Sequence, residues 1–543
     1  MWEAWQKHNL PQAQPAAVTA PQAVDKGGSG GPGAVPSATV ALGAPATTSP
    51  TGIQEQRQLL ATDNRVSVRT DVFALTLDSP SGDIRTISLL KHASHNKEPG
   101  FPLMQEKPAA YFVTQSGLLV GGLPVHTVAW TAEKENYELS GDKLEVTLIN
   151  SDTPGLTINK TYTFRRDSYV INIRYDIKNN TGAPISPLAY FQFLRDSNPP
   201  EGEHAGSNPF TGVVTFTGPA VYTEGKKYQK ISFSDIDKSK IDYPKEATDG
   251  WLGIVQHYFV SAWLPGKAVK REFYTKKIKD NLYSAGVIVP VAEAVAGAST
   301  SVSMRLYAGP QEQEKLKVLE PGLDLVVDYG WLTILAYPMF VVLSWIHGLV
   351  GNWGWTIIIF TILIKLVFFP LNQKAGRSMA HMKQLTPKIE AMKARFGDDK
   401  LKMNQAMMEL YRAEKINPLG GCLPILVQMP FFIALYWVLL GAVELRNAPW
   451  MGWITDLSTP DPFYVLPIIM GVSMIVQTKL NPAPADPVQA KVMMIMPLVF
   501  SIMFFFFPAG LVLYWTMQNL LGIAQQWYIN KTIETTAPKT ARR

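Results

Sequence analysis

The sequence predicts a multi-domain protein with two unlike parts: a large all-β sandwich, then an all-α membrane domain with five transmembrane helices. Three observations predict it. Between about residues 65 and 308, short apolar–polar alternations recur between turn residues, as in VSVRTDVFALTLDS, LEVTLINS and STSVSMRLYAG. That is the pattern of half-buried antiparallel strands. From residue 331 the chain turns hydrophobic and carries five runs of membrane-spanning length: 353–371, 418–441, 463–480, 491–507 and 509–529. The whole chain is 47% hydrophobic and only 17% charged, a balance suited to a protein part soluble and part embedded in lipid.

Residues 1–55 are dominated by Ala, Pro, Gly, Ser and Thr and cannot bury enough apolar surface to fold, so they read as a disordered tether. The opening MWEAWQKHN, with tryptophans followed by polar residues, resembles the outer flank of a transmembrane helix, and an upstream first span is expected. The sandwich is assigned to 56–320, a length sufficient for a substantial core. A linker and an amphipathic helix follow in 321–352. The segment 331–350 is long enough to span. Asp328 just before it and Thr333, Tyr337, Pro338, Ser344 and His347 within it break the apolar run, however, and Trp331 and Trp345 suit a helix lying in the interface. Both readings stand at this point, with the interfacial one favoured.

The helical core is assigned to 353–530 and a basic tail to 531–543. The loop 372–417 carries ten Lys/Arg, whereas 442–462 carries only Arg446. Charge asymmetry therefore places 372–417 and the tail in the cytoplasm, and 442–462 and the sandwich on the far side. The modest excess of +6 does not point to nucleic acid. The single cysteine, Cys422, rules out a disulfide within the chain.

Polar residues inside the spans are the informative set. Lys365 lies in WGWTIIIFTILIKLVFFPL, about 18 Å from Trp353 along a helix. A charge near a span centre costs about 2.5–3.5 kcal/mol. It either snorkels to the nearer interface or lines a wet recess. Thr361 lies one turn before it. The other spans carry Gln428 and Tyr436, Ser473 and Gln477, and Tyr514, Thr516, Gln518 and Asn519. Such groups commonly make interhelical hydrogen bonds of about 0.6 kcal/mol. No Asp or Glu lies in any of the five spans to neutralise Lys365, which favours a positively charged recess kept wet.

In 384–416, Thr386-Pro387 starts a helix, and Leu385, Ile389, Met392 and Phe396 fall on one face. A second helix places Met403, Met407, Leu410 and Tyr411 on a stripe. The hairpin's methionines either receive clients or a ribosome, or bury against each other. The histidines show no metal-ligand spacing, no nucleotide motif occurs, and no catalytic constellation is present, so neither an enzyme nor a cofactor is expected.

The stretches GNWGWTIIIFTILIKLVFFPLNQ (351–373), NPLGGCLPILVQMPFFIALYWVL (417–439) and FPAGLVLYWTMQNLLGIAQQ (507–526) closely resemble the YidC family of bacterial membrane-protein insertases. The resemblance covers nearly the whole chain and implies a Gram-negative inner-membrane protein. It implies a periplasmic β-supersandwich over 56–320, an interfacial helix at 331–350, and five helices around a hydrophilic groove open to the cytoplasm and lipid. In that family the groove's basic residue is usually arginine. Lysine here keeps the charge but loses the planar fork. The implied substrate groove is lined by Lys365, Thr361, Gln428, Tyr436, Ser473, Gln477, Tyr514, Thr516 and Gln518. The implied contacts of the cytoplasmic hairpin are Met392, Phe396, Met403 and Met407. The implied partners are nascent membrane proteins, the ribosome, the Sec translocon and the bilayer. Two rivals are a secondary transporter, which would usually show repeated halves, and a carbohydrate-binding envelope protein suggested by the sandwich alone.

Overall fold

The computed structural model describes residues 65–536, apart from 95–96, 121–122, 125–129, 151, 201–215, 241, 397–398, 415–422 and 481–486. The expected tether, Cys422 and most of the basic tail lie outside the described residues.

Alternating side chains build the sandwich. Strand Leu156–Arg165 buries every second residue, as a strand with one face on a core must. Among the described residues, eleven strands form one sheet. Its path runs from Glu246–Ala247 through Arg271–Lys279, Leu282–Pro290, Leu188–Arg195, Ala110–Val120, Pro99–Lys107, Ile84–Ala93 and Phe73–Asp78 to Arg65–Arg69 and Asn136–Glu138. Nine more form a second sheet centred on Phe259–Leu264, Ser299–Pro310, Val170–Asn179 and Leu156–Arg165. All pairings are antiparallel except that of Arg65–Arg69 with Asn136–Glu138. Phe193 of the first sheet stacks on Trp263 of the second, 5.3 Å between ring centres. A polar pin also joins the sheets. Fully buried Lys160 donates to the Gly82 carbonyl at 2.5 Å and lies 3.7 Å from Asp83, ringed by Trp130, Tyr162 and Tyr175.

Eleven helices are named here in chain order. α1 (Phe233–Asp237) and α2 (Gln313–Leu319) belong to the sandwich; α3 (Thr333–Val350) and α4 (Trp353–Val367) follow the linker. α5 (Phe369–Gln384), α6 (Thr386–Phe396) and α7 (Lys400–Ala413) occupy the basic segment. α8 (Leu423–Gly441), α9 (Val465–Leu480), α10 (Pro487–Met503) and α11 (Ala509–Thr536) complete the helical body.

The run 353–371 is not one straight helix, as the sequence suggested. α4 ends at Phe368 and the chain turns by 65° into α5. Pro370 explains the break: it has no N–H, and its ring would clash with the carbonyl four residues back. The basic segment thus begins with a helix, α5, that periodicity did not reveal. Among the described helices, Gly330–Val350 is the one that by itself is long and apolar enough to cross a membrane; α4 with the start of α5 qualifies only as a bent pair.

α11 packs against α4, α5 and α9, and α3 packs against α4 and α8. Their shared core includes Phe340, Leu343, Ile357, Leu435, Met470 and Leu513. Outward faces are also apolar: Ile334, Leu349, Leu366, Ile468, Val472, Met494 and Leu498 are exposed. A body with apolar groups both inside and outside is suited to lipid rather than water.

Candidate functional site

α4 starts where the Asn352 side chain accepts from the Trp355 backbone N–H, a standard N-cap. The same amide donates to the Pro449 carbonyl at 3.1 Å and so ties α4 to the loop 442–462. Gly354 allows that loop to lie close, since a Cβ there would sit 2.1 Å from Trp450 Cδ1. Three turns further on, α4 presents Lys365 to the interior of the helical body.

Lys365 is half-buried and sits in the last turn of α4, where a cation suits the negative helix end. Its Nζ lies 3.6 Å from the point a Cβ would occupy on Gly522 of α11. The Gln477 amide nitrogen of α9 lies 3.4 Å from the same point. Side chains from α4 and α9 therefore meet over Gly522 of α11. Among the described residues Lys365 makes no hydrogen bond and no ion pair.

A second polar group lies where α4 gives way to α5. Gln428 of α8 donates from Nε2 to Asn372 Oδ1 at 3.1 Å. The Gln518 amide of α11 approaches Gln428 Oε1 at 3.5 Å, the long end of a hydrogen bond. Two buried atoms of this group, Asn372 Nδ2 and Gln518 Oε1, have no partner among the described residues. Buried amides left half-satisfied inside an apolar body are costly unless water or a ligand completes them.

The remaining candidates divide. Thr361 and Thr516 are buried, and each hydroxyl donates back to the carbonyl four residues earlier, Ile357 at 2.6 Å and Val512 at 2.8 Å. Ser473 donates to the Met470 carbonyl and accepts from Asn519 Nδ2 at 3.3 Å, which fastens α9 to α11. Tyr436 packs near the Phe507 ring and Tyr514 is stacked on Phe432, both within the aromatic core. The structure thus brings together Lys365 with Gln477, and Gln428 with Gln518. It sets Tyr436 and Tyr514 apart from them in packing.

Asn372, Asn519 and Gly522 are neighbours outside the groove lining expected from the sequence. Asn519 was visible as a polar residue within a span. Asn372 and Gly522 offered no signal, because their place depends on the bend at Phe368 and on α11 crossing α4.

On the opposite side of the bend, α6 and α7 pack on each other, with Lys388 paired to Glu414 at 2.6 Å. Met392, Phe396, Met403 and Met407 are half-buried there, while Leu401 and Met408 are exposed.

Several hydrogen bonds fasten the sandwich to the helical body. His257 Nε2 donates to the Leu440 carbonyl at 3.0 Å. Arg446 Nη2 donates to the Ala93 carbonyl at 2.7 Å. Gln313 donates to the Tyr329 hydroxyl at 2.5 Å. Burial pushes the His257 imidazole down to about 4, so the ring is neutral and Nε2 carries the proton that the carbonyl accepts.

Two family models match the chain: the YidC periplasmic domain over residues 65–342, and the 60Kd inner membrane protein over residues 345–536. The membrane protein insertase YidC of Methylobacillus flagellatus is 49% identical, over 99% of this chain and 96% of that protein. That of Aromatoleum aromaticum is 50% identical, over 98% of this chain and 95% of its own length. A crystal structure titled as an active YidC insertase with its first transmembrane domain resolved aligns at 17% identity with a TM-score of 0.41, covering 86% of this chain and 93% of that one.

Proposed function

The chain belongs to the YidC family of membrane protein insertases, and from that premise we propose how its own residues carry insertion. It is an inner-membrane insertase with a periplasmic domain. In our reading the helical body crosses the bilayer five times, through α4, α8, α9, α10 and α11, with the basic segment and the C-terminus cytoplasmic.

In this reading α3 lies along the periplasmic interface. Its two ends support that placement. Near the first, Tyr337 accepts from Lys317 of the sandwich. Just beyond the second, Asn352 reaches Pro449 in the loop 442–462, and that loop itself holds the sandwich through Arg446. Both ends of α3 thus meet groups on the sandwich side. A helix that crossed would separate them.

The observation that carries the mechanism is Lys365: an ammonium with no partner among the described residues, beside Gln477, inside a body whose outer faces are apolar. Water is what keeps such a charge ionised. The recess so formed solvates the polar flank of a client while the client's hydrophobic helix rests against the exposed faces in lipid. The barrier for a polar flank lies in crossing about 30 Å of hydrocarbon, and a wet recess part-way shortens that path. The hydrophobic helix then partitions into lipid, and this drives release. Gln428, Asn372 and Gln518 form the inner wall, with amide atoms left to bond a passing chain. The α6–α7 hairpin, basic and methionine-bearing, is where we place the ribosome and the arriving client. Joint work with the Sec translocon belongs to the same reading.

The test is site-specific photocrosslinking from Gln428 and Gln477 to ribosome-stalled clients of increasing length. Crosslinks that rise as the client helix emerges and then fade support a transient groove. Their absence, with the ribosome bound, defeats it.

A further inference from the structure

Two of the bonds that hold the sandwich are carried by one short segment of the helical body. The Leu440 carbonyl, near the end of α8, accepts from His257, and Arg446, just past the 3-10 turn Val443–Leu445, donates to the Ala93 carbonyl. Tyr329 closes over the same place. Its ring lies 3.8 Å from where a Cβ would sit on Gly441, and its hydroxyl accepts from Gln313 of α2.

Glu444 sits in that turn, between the two anchors. Its Oε2 is buried and has no hydrogen-bond partner among the described residues. An ionised carboxylate so placed is costly, because burial strips its water and nothing replaces it. A protonated one loses far less. The junction therefore discriminates between the two forms of one side chain.

The charged groups around Glu444 add to this. From the sandwich, Glu312 at the start of α2 faces it with the same charge, and Lys315, the cation that favours its ionised form, is already paired with Glu312 at 2.6 Å. From the linker, Tyr329 is neutral, since burial holds its hydroxyl well above the usual phenol range. On the same loop, Arg446 is committed to the Ala93 carbonyl and the rings of Phe101 and Phe259. His257 and His92, which face Arg446, are neutral above about pH 5, because burial holds both near 4. Burial, with Glu312 adding to it, raises the Glu444 carboxyl to about 7. Between about pH 5 and pH 8 Glu444 is thus, of these groups, the one that changes charge.

We propose that Glu444 is a proton-operated latch: protonated, it lets the sandwich close on the end of α8, and ionised, it drives the sandwich away from the helical body. Opening brings the carboxylate to water, so the open state prefers the ionised form and the closed state the protonated one. With the ordinary value of 4.5 in the open state and about 7 in the closed state, the open fraction grows by up to about tenfold per pH unit between the two and levels off above the second. Below the first value the latch is fully set. The latch concerns the coupling of the two parts and does not depend on the insertion groove.

The experiment uses the full-length protein in lipid bilayers, with spin labels at exposed Ser303 of the sandwich and Met429 of α8 and with Cys422 replaced by serine. Distances are measured at about pH 5, 6, 7 and 8. The expected result is one narrow distribution at the acid end and a second, displaced population that grows with pH and levels off above about 7. Glu444→Gln, which cannot ionise, should keep the narrow distribution throughout. Lys315→Gln leaves the carboxyl in place but removes a cation that favours its ionised form, so the displaced population should level off at a higher pH. A distribution that does not change with pH in the parent protein overturns the latch. So does a Glu444→Gln protein that responds to pH as the parent does. Where Glu444→Gln is displaced at every pH, Lys315→Gln decides: a levelling point that stays or falls overturns the proposal, and one that rises upholds it.

Discussion

The Arg446 guanidinium lies 5.0 Å from the centre of the Phe101 ring, so a residue of the loop between α8 and α9 is clasped by the core of the sandwich. Phe259 flanks it at 5.4 Å, and the Ala93 carbonyl accepts its Nη2 at 2.7 Å. A partly desolvated cation over two rings is worth about 1–2 kcal/mol, and a hydrogen bond from a charged donor about 1.5–3 kcal/mol. Arg446→Ala is therefore expected to loosen the sandwich from the helical body. Arg446→Lys should do so partially, because the ammonium lacks the planar fork. Electron-spin distance measurements between labels on the sandwich and on α8 would show broadened distributions in that order. Unchanged distributions in Arg446→Ala would count against the clasp.

Lys365 should matter through its charge. Lys365→Arg is expected to insert clients with acidic flanks nearly as well as the parent, and Lys365→Ala about tenfold less, in reconstituted vesicles at equal protein levels. Gly522→Asp is a sharper test. A Cβ there would lie 3.6 Å from Lys365 Nζ, so the new carboxylate can pair with the ammonium without removing it. It should reproduce the Lys365→Ala defect for acidic flanks and spare neutral ones. Equal insertion of both flank types would sink the charge role.

The amide cluster makes the opposite kind of prediction. Gln428→Leu removes a polar group that reaches Asn372 at 3.1 Å and is approached by Gln518. If the cluster serves only packing, the single replacement leaves Asn372 Oδ1 unpaired and costs about 1–3 kcal/mol of stability without slowing insertion. Serving a client, it leaves thermal stability within about 1 kcal/mol while slowing insertion of polar flanks severalfold. Stability and insertion measured on the same preparation separate the two.

At the junction, burial raises the Glu444 carboxyl to about 7, with Glu312 adding to the rise and Lys315 opposing it. The folded protein thus holds this proton more tightly than the unfolded chain. The contribution to stability is fully present below the ordinary value of 4.5 and is lost as pH rises through about 7. His257 runs the other way. Its folded value near 4 is below the ordinary 6.5, so its contribution is present above 6.5 and lost as pH falls toward 4. Glu444→Gln should match the parent near pH 4.5 and exceed it at pH 8, by at most about 3 kcal/mol. A melting-point difference that does not grow between those two values would refute the buried carboxyl.

Much of the fold was legible because its elements answer to short-range patterns. Alternation in Leu156–Arg165 marks a strand with one buried face, and the apolar runs mark helices. Thr386-Pro387 marked the start of α6. The bend at Phe368 was also written locally, in Pro370, but the length of the apolar run concealed it. Of the site, Lys365 and Gln428 stood out because polar groups in apolar runs are costly wherever they point.

What the sequence determined by itself is therefore the chemistry and its approximate depth: a β-rich domain, a hydrophobic helical body, and Lys365 deep in an apolar run, with no carboxylate in the five runs to neutralise it. Only the tertiary structure decided the company each residue keeps. Lys365 and Gln477 both reach Gly522 because α11 packs against α4 and α9 alike, and Arg446 meets Phe101 across a gap of hundreds of residues. The physical reason is range. Periodicity and backbone propensity act over a few residues and show in the sequence, whereas side-chain contacts between distant segments depend on packing that no local pattern encodes.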